Sequence, residues 1–114
     1  MWRDDAYLLD MLLAAEEIEK QAKGITWDKF SRDIMLQSGF MSLILTVGEA
    51  ASKVSKELQE AHPEIAWREV IAMRNRLVHE YFRIIPERVW DVIASDIAPL
   101  VEKLRLLVPP DQDG

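Results

Sequence analysis

The chain has 114 residues, 49% of them hydrophobic and 30% charged, with a formal net charge of −6. That length fits one domain, and the composition is that of a helix-rich globular protein. With no cysteine, disulfides and thiolate metal sites are excluded, and two histidines (His62 and His79) offer little basis for an imidazole-based metal centre.

The acidic balance argues against broad, non-specific nucleic-acid binding, which depends on many Lys and Arg contacts to phosphate. It leaves room for a small basic cleft, and Arg68, Arg74, Arg76 and Arg83 fall close together. No apolar run approaches the roughly 20 residues of a membrane span, and Met-Trp-Arg-Asp-Asp does not open a signal peptide. A cytoplasmic protein is expected.

In chain order, a first helix is expected from about Arg3 to Lys23. Tyr7, Leu8, Met11, Leu12, Ala15 and Ile18 recur at spacings of three and four, and Gly24 is a stop. Thr26 suits an N-cap and Asp28 the first turn of a second helical stretch, expected from Trp27 to Leu58 with a kink at Ser38-Gly39. Its apolar surface, from Met41 through Leu58, is wide enough for contact on two sides, with the bundle and with a second subunit. Glu49 lies within it, either as a carboxylate at the edge of the stripe or as a counter-charge for a buried arginine. His62-Pro63-Glu64 marks the next boundary and the start of a third helix, and Ile85-Pro86-Glu87 starts the last. Val89, Trp90, Ile93, Ile97, Leu100, Val101 and Leu104 form the stripe of that last helix, which Pro109-Pro110 ends. The domain is expected to span 1–110, with 111–114 a disordered tail. No strand pattern appears, so the fold class is all-α, an antiparallel bundle of four to five helices.

The stretch from Trp67 to Phe82 carries the chemistry. On a helical wheel of about 100° per residue, Val70, Ile71, Leu77 and Val78 all lie within roughly 60° of Arg74. An arginine centred on an apolar stripe is costly unless a partner or ligand meets its charge. Arg74 and His79 are about 140° apart on an ideal helix. For both to act on one group, the arginine must reach round, the helix end must distort, or two copies must meet across a dimer axis. The apolar excess favours the dimer. Arginine offers a fork of donors for phosphate, and histidine moves protons near neutral pH. Together they suit RNA cleavage in which the ribose 2′-hydroxyl is the nucleophile.

Arg74-Asn75-Arg76-Leu77-Val78-His79-Glu80-Tyr81 resembles the Arg-x-x-x-x-His-x-Tyr signature of HepT-like ribonucleases, toxins of the HEPN superfamily. The first-helix pattern, Gly48-Glu49-Ala50-Ala51, Pro63 to Arg68, Met73-Arg74-Asn75 and Val89-Trp90 also look like this family, in order, over nearly the whole chain. Glycine is common in that family where Glu80 stands, so this chain departs there, and a carboxylate beside the cleft would weaken or tune phosphate binding.

The resemblance implies a HEPN-type homodimer with one composite endoribonuclease site, needing no metal or cofactor. Arg74 and His79 would be catalytic, with Asn75 and Arg76 positioning RNA. It further implies a type VII-like toxin–antitoxin pair, in which a minimal nucleotidyltransferase of the MntA type transfers AMP to Tyr81. RNA, that antitoxin and a second copy are the expected partners; DNA and membranes are not. The alternatives are a non-catalytic helical partner of the nucleotidyltransferase and a nucleotide-binding dimer without cleavage activity.

Overall fold

Helix α1 (Trp2–Ala22) forms as its spacing predicts, burying Leu8, Met11, Leu12, Ala15 and Ile18. Gly24, at φ +79°, then reverses the chain in a conformation that other residues rarely adopt. Here and throughout, the structure is a computed structural model that describes residues 2–80 and 82–108.

The single stretch expected from Trp27 to Leu58 is instead three helices: α2 (Trp27–Ser31), α3 (Ile34–Lys53) and α4 (Lys56–Ala61). Thr26 caps α2 as expected, its hydroxyl accepting the Lys29 N–H at 3.2 Å. The breaks come from two further caps. Asp33 accepts the Leu36 N–H at 3.0 Å, and Ser55 accepts the Leu58 N–H at 3.2 Å. Ser38-Gly39, expected as a kink, lies inside an uninterrupted α3. Glycine there only lowers helix propensity, whereas a capping side chain offers the backbone a competing partner.

Pro63-Glu64 does not open the next helix. Residues 63–66 form a turn, and α5 (Trp67–His79) starts at Trp67, whose indole N–H donates to the His62 carbonyl at 2.9 Å. Pro86 is the first residue of α6 (Pro86–Asp91), as expected, and the arm continues through a π-helical turn (Val92–Asp96) into α7 (Ile97–Leu107). The widened turn is closed by the Ile97 N–H donating to Val92 O. Pro99 supplies the cause, since it has no N–H and its ring crowds the carbonyl four residues back. The expected end at Pro109-Pro110 and the tail 111–114 lie outside the described residues.

The architecture is an all-α bundle in which α3 is the central helix, packed between α1 and α5, with α7 closing on α1. By length and composition α3 could cross a membrane, which the absence of a long apolar run in the sequence did not anticipate. Within the bundle, its Phe40, Met41, Ile44, Val47, Ala50 and Ala51 are buried. Phe30 and Trp90 meet with ring planes tilted by 46° and centroids 5.1 Å apart, tying α2 to α6, and Phe40 joins them from α3. Opposite, Asp4 near the start of α1 accepts the Ser55 N–H at 2.9 Å and its hydroxyl at 2.6 Å. This link sets α1 antiparallel to α3. The Ser55 hydroxyl, then its amide, hold the Asp4 carboxyl below the usual carboxylate range.

Candidate functional site

Arg74 reaches its place because Gly48 makes way for it. Gly48 is buried on α3, and an added methyl there would overlap the Arg74 Cβ and lie 2.8 Å from its Cγ. The two backbones therefore approach closely at this crossing. The buried face of α5 is Trp67, Met73 and Leu77, with Val70 and Ile71 half-buried. Arg74 thus sits on the flank of the stripe rather than at its centre, with its side chain 34% exposed. That correction lowers the desolvation cost that the wheel implied.

The guanidinium is nevertheless met. Its Nη2 is 2.7 Å from Glu49 Oε2, and its Nη1 donates to Asn75 Oδ1 at 3.0 Å. Glu49 also pairs with Lys53 at 3.6 Å. Glu49 combines the two readings: it lies at the solvent-open edge of the stripe and pairs with Arg74, which is itself only half-buried. Asn75 orients the arginine fork from the neighbouring position on the same helix.

Arg74, Glu49 and Val78 line an open groove of about 400 Å³ between α1, α3 and α5. Tyr7 and Asp10 line it from α1 and Lys53 from α3, with the Lys53 ammonium 5.9 Å from the Tyr7 ring centre. Charges of both signs line it, so it is no general anion trough.

His79 ends α5, exposed, with no side-chain hydrogen bond among the described residues. Because α5 is regular through His79, helix distortion does not bring it onto the Arg74 face. Arg76 points to a different groove, shared with Glu69, Asp96 and Lys103 between α5 and α7. Within one chain, then, Arg74 and Asn75 are brought together, whereas His79 and Arg76 are not joined to them. Tyr81 lies outside the described residues. Glu80, expected beside the cleft, instead pairs with Arg88 on α6. Among the described residues, no group of three or more His, Cys, Asp or Glu is placed to hold a metal ion. Two contributors escaped the sequence reading: Arg88, and the dependence of Arg74 on Gly48. The four-residue run Gly48 to Ala51 was the only signal for the second.

The all-α bundle, with Arg74, Asn75 and His79 along one helix, is consistent with a HEPN-type fold. The chain belongs to the Ribonuclease HepT-like family, whose profile matches residues 11–107. It is 34% identical over 102 residues to "Probable ribonuclease HepT" of Thermococcus cleftensis, covering 87% of this chain and 93% of the other. It is 29% identical over 106 residues to a protein provisionally named as an RNase from Caldanaerobacter subterraneus, covering 93% of this chain and 95% of that one. No solved structure is significantly similar. Family membership supports enzymatic activity of the ribonuclease kind.

Proposed function

We propose that the protein is an endoribonuclease toxin whose active site is completed by a second copy of the chain. The observation that carries this reading is Arg74, its guanidinium held at an open groove by Glu49 and Asn75 and still accessible to a phosphate. His79, on the same helix and without a side-chain partner among the described residues, supplies an imidazole for proton transfer.

In the proposed reaction His79 takes the proton of a ribose 2′-hydroxyl. The oxygen attacks the adjacent phosphorus, the bond to the 5′-oxygen breaks, and the imidazolium returns the proton to that oxygen. The products are a 2′,3′-cyclic phosphate and a 5′-hydroxyl end. Arg74 stabilises charge on the phosphorus oxygens as it builds. The nucleophile belongs to the substrate, so the reaction requires no activated water.

The dimer is supported by two features. The helix geometry separates Arg74 from His79 in one chain, and Val78, 40% exposed, lies beside half-buried Leu45 along the Arg74 groove. Two copies meeting there would bring the motifs together, with Asn75 positioning substrate and Arg76 contacting RNA beyond the reacting phosphate. Neutralisation by a nucleotidyltransferase belongs to the same reading. Transfer of AMP from a nucleoside triphosphate to the Tyr81 oxygen, releasing pyrophosphate, would add a phosphate-linked nucleotide within the motif and so oppose RNA binding.

The test is cleavage of defined RNAs in excess EDTA by wild type and His79→Ala, with products examined for cyclic phosphate. Metal-free cleavage that disappears in the folded variant is the expected result. A wild-type dimer that cleaves neither tRNA nor mRNA would overturn the reading and leave a non-catalytic partner of the nucleotidyltransferase.

A further inference from the structure

Glu80 stands inside the motif, next to His79, yet its carboxylate is directed away from the Arg74 groove. The side chain is 14% exposed, and its Oε2 is paired with Arg88 Nη1 on α6. The other oxygen, Oε1, is buried with no partner among the described residues. A buried acceptor left without a donor is an unfavourable placement, and the charge pair on its sister oxygen offsets it.

The surroundings show what that placement accomplishes. Glu80 is the C-cap of α5, its N–H donating to Leu77 O and Val78 O, and its carbonyl accepting the Arg83 N–H at 2.9 Å. Helix α5 packs on α3 and scarcely touches α6. Leu77 anchors the last turn of α5 in the core, and the Glu80–Arg88 pair links the residue after it to the final arm. Helix ends fray unless tied down. His79 is in that last turn and has no side-chain bond of its own among the described residues, so its imidazole goes where the backbone puts it.

We infer that Glu80 is a positioning residue, whose ion pair with Arg88 fixes the end of α5 and through it the imidazole of His79. Its consequence for catalysis rests on the ribonuclease reading above; its consequence for the placement of His79 does not. The pair acts from outside the groove, which separates it from a carboxylate that repels phosphate.

The test uses the full chain as wild type, Glu80→Gln, Arg88→Ala and the reversed pair Glu80→Arg with Arg88→Glu. Two readouts are followed: metal-free cleavage of a short oligoribonucleotide, and the imidazole carbon-bound proton resonances of His79, with His62 as internal control. Either single variant should lower kcat by about ten- to a hundredfold, as expected when a reacting group is misplaced by about 1 Å, with KM little changed. The His79 resonance should shift or broaden while His62 stays put, and the reversed pair should restore both readouts. A lower KM with faster cleavage in Glu80→Gln would overturn the inference, because the carboxylate would then be acting on phosphate directly. Loss of melting temperature in both single variants, with kcat and the His79 signal unchanged, would equally overturn it. If the wild type does not cleave, the ribonuclease reading fails on its own account. The His79 resonance then decides, an unchanged signal in both single variants rejecting the tether.

Discussion

Replacing Gly48 with alanine probes the contact on which the site is built. The new methyl would overlap the Arg74 Cβ, with Cγ at 2.8 Å and the backbone Cα at 3.4 Å. A clash with the far end of an arginine could be relieved by a rotamer change, but Cβ is fixed to the backbone. Helices α3 and α5 would have to separate or rotate. Overpacking of this kind costs about 1–3 kcal/mol, and the better helix propensity of alanine returns about 0.8–1 kcal/mol. The net loss is roughly 0–2 kcal/mol, which in a domain of this size lowers the melting temperature by up to several degrees. Gly39→Ala is the matched control on the same helix, since a methyl there meets nothing within 4 Å. It should keep the propensity gain and melt slightly higher. The assay is thermal unfolding of wild type and both variants at one protein concentration, followed by RNA cleavage below every transition. Gly48→Ala should melt lower and cleave more slowly, because Arg74 moves relative to Glu49 and the groove. A Gly48→Ala protein that melts as high as Gly39→Ala would refute the close approach of the two helices.

Glu49→Gln removes the counter-charge of Arg74 while preserving shape. Both partners are partly exposed, so melting should change little, within about 1 kcal/mol, while kcat falls as the guanidinium loses its orientation. Unchanged kcat would show that the pair is incidental. Ser55→Ala removes both the α4 cap and a hydrogen bond to Asp4, and should cost about 1–2 kcal/mol in denaturant unfolding; a cost near zero would count against the Asp4–Ser55 link. The Asp4 link also has a pH signature. Its native carboxyl releases its proton more readily than in the unfolded chain, so its contribution is complete above about pH 4 and is lost as pH falls through the lowered native value. Asp4→Asn should flatten that acid limb of the stability curve, and an unaltered limb would contradict the assignment.

Periodicity made the long helices legible. Most of the stripe of α1 and of the last arm is buried, because burial of one face is a repeating, local signal; Tyr7, Trp90 and Ile93 are only half-buried, and Ala14 and Val92 are buried outside the expected stripes. The breaks at Asp33 and Ser55 were hidden for the opposite reason. A single capping side chain outweighs an apolar pattern that runs on across it, and a glycine nearby drew attention to the wrong place. Arg74, Asn75 and His79 stood out in the sequence by their residue types and the motif. That Arg74 lies on the flank of its stripe was not, because the wheel gives angles and the neighbouring helix decides which of them is covered. Glu80 was misplaced for a similar reason: its partner, Arg88, lies beyond a turn, on a helix that sequence spacing alone does not orient.

The π-helical turn at Val92–Asp96 gives the final arm a tolerance that the other helices lack. An ordinary helix that gains or loses one residue rotates everything beyond it by about 100°, which would carry Ile97, Leu100, Val101 and Leu104 out of the core. A turn closed by an i to i+5 bond already contains one residue more than an α-turn. Deleting Ser95, which is exposed, would remove that extra residue and leave the downstream residues in phase, with the helix still bent at Pro99, which has no N–H. The arm can therefore lose one residue there without exchanging its inner and outer faces, making this turn the place where a single deletion is most readily absorbed.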